Sequence, residues 1–204
     1  MRKPTSFFVS TMSIFLFLSL TFAGCGRSTV DSSTGTLPSL ASEPVNQVYA
    51  LAWSPNGTDL ATGGKNGVIQ VWNTTSHTLL ATAEKDSGEV YALAWSPNGT
   101  HLASGGQDQK VHLWNPTTGK QMATYRSFLR TGEVLALAWS PDGKYLASGS
   151  NDGIVQVWDT AKQRLVLAFS NFSGEDDVTA LAWSPDGQRL LRQARIGPSK
   201  SGTS

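Results

Sequence analysis

Ala50-Leu51-Ala52-Trp53-Ser54-Pro55-Asn56-Gly57 returns three more times in this 204-residue chain, at 92–99, 136–143 and 180–187, with Asp142 and Asp186 in place of the asparagine in the last two copies. The tryptophans at 53, 95, 139 and 183 stand 42 to 44 residues apart. That period belongs to repeats in which each unit is a small four-stranded sheet. The chain is therefore read as one object repeated, and the residues that differ between copies become informative.

The second unit shows the internal logic. Val90–Trp95 alternates as a first strand, and Ser96-Pro97-Asn98-Gly99 is a turn with proline presetting φ and glycine closing it. Leu102-Ala103-Ser104 makes a second strand. Gly105-Gly106-Gln107-Asp108-Gln109 is a tight connection into a third, Val111-His112-Leu113-Trp114. After Asn115-Pro116-Thr117-Thr118-Gly119, residues Gln121 to Tyr125 form a fourth strand at the outer edge.

The recurring Leu-Ala-Ser-Gly, the Asp-containing turn and Val-x-Val-Trp-Asp, with Trp72-Asn73, Trp114-Asn115 and Trp158-Asp159 closing the third strands, resemble the tryptophan–aspartate (WD) repeat family of β-propellers. The resemblance runs from about Gln47 to Leu190. It implies an all-β propeller of four-stranded blades at 47–88, 89–132 and 133–176, with a broken fourth at 177–190. It also implies a buried hydrogen-bonded set in each blade. Thr62, Ser104 and Ser148 match its hydroxyl position, Asn66, Asp108 and Asp152 its turn position, and Trp72, Trp114 and Trp158 its indole. The histidine of that set is missing where Ser87-Gly88-Glu89, Thr131-Gly132-Glu133 and Gly174-Glu175-Asp176 stand, so the turn aspartates are expected to lean on N–H groups of their own turns. These residues are read as structural.

The first 46 residues differ in composition. Arg2 and Lys3 precede a largely apolar stretch, Phe7–Phe22, and the small pair Ala23-Gly24, which is the secretory pattern of a signal peptide at 1–24. Phe22-Ala23-Gly24-Cys25 resembles the lipobox of bacterial lipoproteins, and that resemblance implies a lipid on Cys25. The apolar stretch is about sixteen residues, diluted by Ser10, Thr11, Ser13, Ser19 and Thr21, short of the roughly twenty needed to span a bilayer. Residues 25–46, rich in Ser, Thr, Gly and Pro, read as a flexible tether. The expected location is outside the cytoplasm on a lipid anchor of a bacterial cell membrane, with secretion as the alternative.

Beyond Leu190 the pattern stops: residues 191–204 read as an aberrant tail. One permitted codon choice for this tail, reread one base earlier, spells Ala-Ser-Ala-Ser-Thr-Asp-Arg-Thr-Val-Gln-Ile-Trp-Asp-Val, which continues the repeat. A frameshift is therefore expected, and with it a longer propeller gene of which this chain is a fragment. Otherwise the open blade ends are expected to favour self-association, because uncovered sheet faces and edges invite pairing.

Net charge is +1 and the pI about 7.9, so the chain lacks the basic footprint of a nucleic-acid binder. With Cys25 as the sole cysteine, the blades contain no disulfide and depend on packing, which seven tryptophans supply. His77, His101 and His112 occupy different positions of their units without metal-ligand spacing, and each is expected to face solvent. No catalytic motif, cofactor or metal site is read. The sequons beginning at Asn56, Asn73, Asn98 and Asn171 are explained by turn composition.

Function is accordingly expected at a surface. In the resembled family partners dock on the rim made by the starts of the inner strands and the hairpin turns. The matching residues are Tyr49, Tyr91, Leu135 and Thr179 at strand starts, and Lys65, Gln107 and Asn151 in the turns. Arg126-Ser127-Phe128-Leu129-Arg130 offers two apolar side chains between arginines as a further contact loop. The expected function is a non-enzymatic scaffold for an unknown protein or peptide, and the alternatives are a small ligand in the central channel and a nonfunctional fragment of a longer propeller gene.

Overall fold

A computed structural model describes residues 47–84, 88–126, 132–170 and 176–196, all within one folded unit. The described residues contain no helix. Cys25 and the rest of 1–46, residues 127–131 with all of the arginine-flanked loop but Arg126, the sequon at Asn171 and residues 197–204 lie outside the described residues.

The first blade comprises β1 (Val48–Trp53), β2 (Asp59–Gly64), β3 (Val68–Asn73) and β4 (Thr78–Glu84). The second comprises β5 (Val90–Trp95), β6 (Leu102–Gly106), β7 (Lys110–Trp114) and β8 (Gln121–Arg126). The third comprises β9 (Val134–Trp139), β10 (Tyr145–Ser150), β11 (Ile154–Asp159) and β12 (Arg164–Ser170). Each is an antiparallel four-stranded sheet with strands in chain order, and β13 (Asp176–Trp183) and β14 (Leu190–Ile196) make a two-stranded fourth. The expected architecture of three complete blades and a partial fourth is thus borne out.

Turn chemistry explains why the blades are so alike. The N–H of Gly57 donates to the Ser54 carbonyl at 2.9 Å, and Gly99, Gly143 and Gly187 repeat this bond at 2.8–2.9 Å. The closing glycine sits at φ between 70° and 74°, where a side chain would be strained. The serine ties the turn to the next strand: Ser54, Ser96, Ser140 and Ser184 hydroxyls accept the N–H of Asp59, His101, Tyr145 and Arg189 at 2.8–2.9 Å.

Blades pack face to face. Ala61, Ile69 and Val71 on the trailing face of the first meet Val90, Leu102 and Trp114 on the leading face of the second. Ala103, Val111 and Leu113 meet Val134, Leu146 and Trp158 in the same way. Each fully buried branched side chain contributes about 1.5–3 kcal/mol. A directional bond accompanies the packing: Trp95, Trp139 and Trp183 Nε1 donate to the carbonyls of Ala52, Ala94 and Ala138 in the preceding blade at 3.0, 3.1 and 3.1 Å.

β14 forms from residues whose side chains have left the repeat pattern. Its register is that of a second strand, with Ala182 opposite Leu191, Leu181 opposite Arg192 and Ala180 opposite Gln193. Strand pairing uses backbone groups, and β13 supplies them whatever side chains β14 carries.

Candidate functional site: the bulged rim and the polar sets behind it

Every inner strand is irregular at one place. The register shifts between Val48 and Ala50, Val90 and Ala92, Val134 and Ala136, and Val178 and Ala180. The residues displaced there are Tyr49, Tyr91, Leu135 and Thr179. A bulge leaves one residue out of the ladder and re-aims its side chain. Neighbouring contacts fix its position in the second, third and fourth blades: a Cβ on Gly63, Gly105 or Gly149 would stand 2.7, 2.4 or 2.4 Å from Cγ1 of Val90, Val134 or Val178, so each of these valines seats on a bare backbone of the preceding blade.

The hairpin turns join the same end of the blades. Backbone N–H groups of Lys65, Gln107 and Asn151 donate to the carbonyls of Gln47, Glu89 and Glu133 at 2.9, 3.0 and 3.0 Å. Gln107 Oε1 and Asn151 Oδ1 accept the N–H of Glu89 and Glu133 at 3.3 and 2.9 Å. All three turn residues are exposed, and the Gln107 and Asn151 side chains also brace the strand entry. Tyr49 and Tyr91 lie with ring centroids 6.0 Å apart. Tyr49 and Thr179 are exposed, Tyr91 and Leu135 half-buried. Burial, then the nearby Glu133 and Glu89 carboxylates, push the Tyr91 phenol up to about 12.

Reasoning from sequence missed the acidic side of this rim. Glu89, Glu133, Asp176 and Asp177 occupy the entries to the inner strands. In the sequence Glu89, Glu133 and Asp176 stand out only as departures from a Gly-His pattern, although an acidic residue recurs there in successive units.

Behind the rim the blades differ. In the second, Trp114 Nε1 donates to Ser104 Oγ at 2.8 Å. His112 Nε2 lies 2.6 Å from Asp108 Oδ2, with the two side chains 1% and 2% exposed. A carboxylate can only accept, so the Nε2 proton points at Asp108 and Nδ1 faces the Thr124 hydroxyl at 3.3 Å. The imidazole also stacks on Trp114 with centroids 5.6 Å apart. The expectation of a solvent-facing His112 is therefore corrected: pairing places Ser104 and Thr124 on either side of it, and its face of the sheet is buried. His77 is exposed and His101 half-buried. Asp108 Oδ1 also accepts the N–H of Lys110 at 3.3 Å.

In the third blade Trp158 reaches Ser148 Oγ at 3.3 Å, and Gln156 takes the register position of His112. Asp152 Oδ1 accepts from the Ile154 N–H at 3.3 Å and from the Ser150 hydroxyl, while its Oδ2 is buried without a hydrogen-bond partner. A cavity of about 10 Å³, lined by Ser148, Ser150 and Gln156 among others, borders it. In the first blade Asn66 is exposed and accepts the Val68 N–H at 3.1 Å, and Thr62 and Trp72 are half-buried.

The indole and serine of the second and third sets, with His112, are buried, while the first blade's set is partly open to solvent. Among the described residues no three His, Cys, Asp or Glu side chains converge to hold a metal ion. The chemistry open to the molecule lies on the rim, where aromatic, amide and carboxylate groups can contact another chain.

A family model described as WD domain, G-beta repeat matches residues 37–73, 75–115, 119–159 and 167–191, more than half of the chain. The second and third matches each begin with the outer strand of one blade and end on the third strand of the next, so sequence repeat and blade are offset by one strand. No curated protein matches the chain. WD repeats generally mediate protein–protein interaction as scaffolds, and the proteins built from them are typically not enzymes.

Proposed function

The chain belongs to the WD domain, G-beta repeat family, and from that premise we propose that it is a non-enzymatic scaffold docking a protein or peptide on the bulged rim. The observation that carries this reading is the coincidence of the bulges with the residues that vary between units. Tyr49, Tyr91, Leu135 and Thr179 are turned out of a ladder whose other positions hardly change. A rigid aromatic pair is a good anchor for a partner's apolar side chain. With Glu89 and Glu133 alongside, the fitting partner is a segment that sets an apolar residue next to Lys or Arg.

The proposal extends to location. Arg2, Lys3, the apolar Phe7–Phe22 and Phe22-Ala23-Gly24-Cys25 support export and lipid attachment at Cys25, which would hold the rim at the outer side of a bacterial membrane.

The test compares partner recovery from detergent-solubilised membranes by the wild type, by Y91S/Q107A, and by K120A in the β7–β8 turn at the other end of the blade. The rim variant should lose at least tenfold and K120A nothing. Equal recovery by all three would refute the rim. For the anchor, an alkyne fatty-acid label should appear on the wild type and vanish in Cys25→Ser; label retained in the variant would refute attachment there.

A further inference from the structure

The turn aspartates of the second and third blades are held alike by one oxygen and differently by the other. Asp108 Oδ1 accepts the N–H two residues on, from Lys110, and Asp152 Oδ1 does the same from Ile154, both at 3.3 Å. At the second oxygen they part. Asp108 Oδ2 lies 2.6 Å from His112 Nε2, whereas Asp152 Oδ2 is buried with no hydrogen-bond partner. Folded proteins rarely leave a carboxylate oxygen in that condition, because its hydration is lost and nothing replaces it.

No neighbouring side chain supplies the donor. Gln156 stands opposite Ser148, in the register position that His112 holds opposite Ser104, and it makes no hydrogen bond to Oδ2. Gly132 closes another side. A Cβ there would come within 2.6 Å of Asp152 Cγ and 2.8 Å of Asn151 Oδ1, so no side chain can enter from the segment leading into β9.

Between these groups lies the cavity of about 10 Å³, bordered by Gly132, Val134, Ser148, Ser150 and Gln156 as well as Asp152. A polar space of roughly 10–15 Å³ is the smallest that holds one water molecule, and an internal water makes about three hydrogen bonds. The lining can provide them. Asp152 Oδ2 is an acceptor. The Ser148 oxygen already takes the Trp158 indole N–H at 3.3 Å, which leaves its own proton to give. Ser150 gives its proton to Asp152 Oδ1 or to the Ile154 carbonyl and keeps a lone pair to receive one. A calcium or magnesium ion is excluded by ligand supply, since it takes about six or more oxygens and Asp152 is the only charged residue along the lining.

We propose that the third blade binds a single internal water at this site, and that this water does for Asp152 what the His112 imidazole does for Asp108. The site lies inside the blade and is independent of any partner on the rim.

The experiment locates the water in a high-resolution crystal structure of the full-length chain and counts long-lived internal waters in solution by water-deuteron magnetic relaxation dispersion. In the wild type a peak should stand within hydrogen-bond distance of Asp152 Oδ2. Q156H, which puts an imidazole at the register position of His112, should lose that peak, and its dispersion amplitude should fall by one water. A circular-dichroism spectrum like the wild type's establishes that Q156H is folded; should it not fold, the wild-type crystal structure alone decides. A bare Oδ2 in the wild type, or an Oδ2 bonded directly to a protein group, would overturn the proposal. So would a folded Q156H whose dispersion amplitude is unchanged, or a peak with the short distances and octahedral coordination of a metal ion.

Discussion

The second and third blades share a backbone and differ in what stands behind the turn aspartate. Asp108 is clamped by His112 at 2.6 Å, whereas Asp152 faces Gln156 across a small cavity and keeps one carboxylate oxygen without a partner. The difference teaches that the repeat fixes the sheet and its joints through turns, glycine seats and indole bonds, while each blade settles its polar interior separately. Variation at these buried positions changes stability. Variation at the bulges changes the surface shown to a partner.

The comparison breaks most visibly at His112. His112→Ala should destabilise the protein by about 3 kcal/mol in urea titration, because it leaves a buried carboxylate with its strongest donor gone. His112→Gln, which installs the residue of the other two blades, should recover at least half of that. A loss below about 1 kcal/mol for the alanine variant would show that the clamp contributes little.

The next effect concerns the joint between these blades, where Tyr125 stacks on Trp158 with centroids 5.2 Å apart. Burial, followed by the Asp159 charge, pushes the Tyr125 phenol up to about 12. A raised pKa means that the folded state holds the proton more tightly. The stability so conferred is intact below pH about 10 and is lost as pH rises towards 12. Alkaline unfolding should track phenolate absorbance in that window, and Tyr125→Phe should remove a late-titrating component; an unchanged titration would contradict this.

The indole bonds give a smaller contrast. Ser104→Ala should cost about 1.5 kcal/mol and Ser148→Ala about 0.5, following the 2.8 and 3.3 Å geometries. Equal losses would mean that the two sets are equivalent. Conversely, Gln156→His should make the third blade resemble the second and gain about 1 kcal/mol by giving Asp152 a donor.

The smallest effect lies in the turns. The Ser140 hydroxyl and the Lys144 N–H hold the Asp142 carboxyl below its ordinary 3.8, and Ser184 and the Gln188 N–H do the same for Asp186. Depressed values mean stability that is present above pH about 4 and lost as the pH falls below it. The first two units carry Asn56 and Asn98 there, so Asp142→Asn should flatten the acid limb of a pH–stability curve slightly without shifting its neutral plateau.

Much of the blade was legible because its signals are local. The Ser-Pro-Asn-Gly turn, the alternating strands and the Trp-Asp ending each lie within a few residues, and β5 begins and ends where the pattern placed it. Other features depend on pairing and stayed hidden. His112 sits in the variable position of Val-x-Leu-Trp, and only strand register brings Ser104 and Thr124 beside it. The bulges at Tyr49 and Tyr91 require knowing which valine seats on which glycine. β14 has no repeat pattern to read, yet β13 pairs with it through the backbone ladder.

The central claim, that partners dock on the bulged rim, is tested most directly by photo-crosslinking with a diazirine amino acid at position 91 and, in a second variant, at position 120 on the opposite end of the same blade. A discrete adduct of one partner from position 91 and none from position 120 is the predicted result. Equal labelling at both positions, or a discrete adduct only from 120, would contradict it.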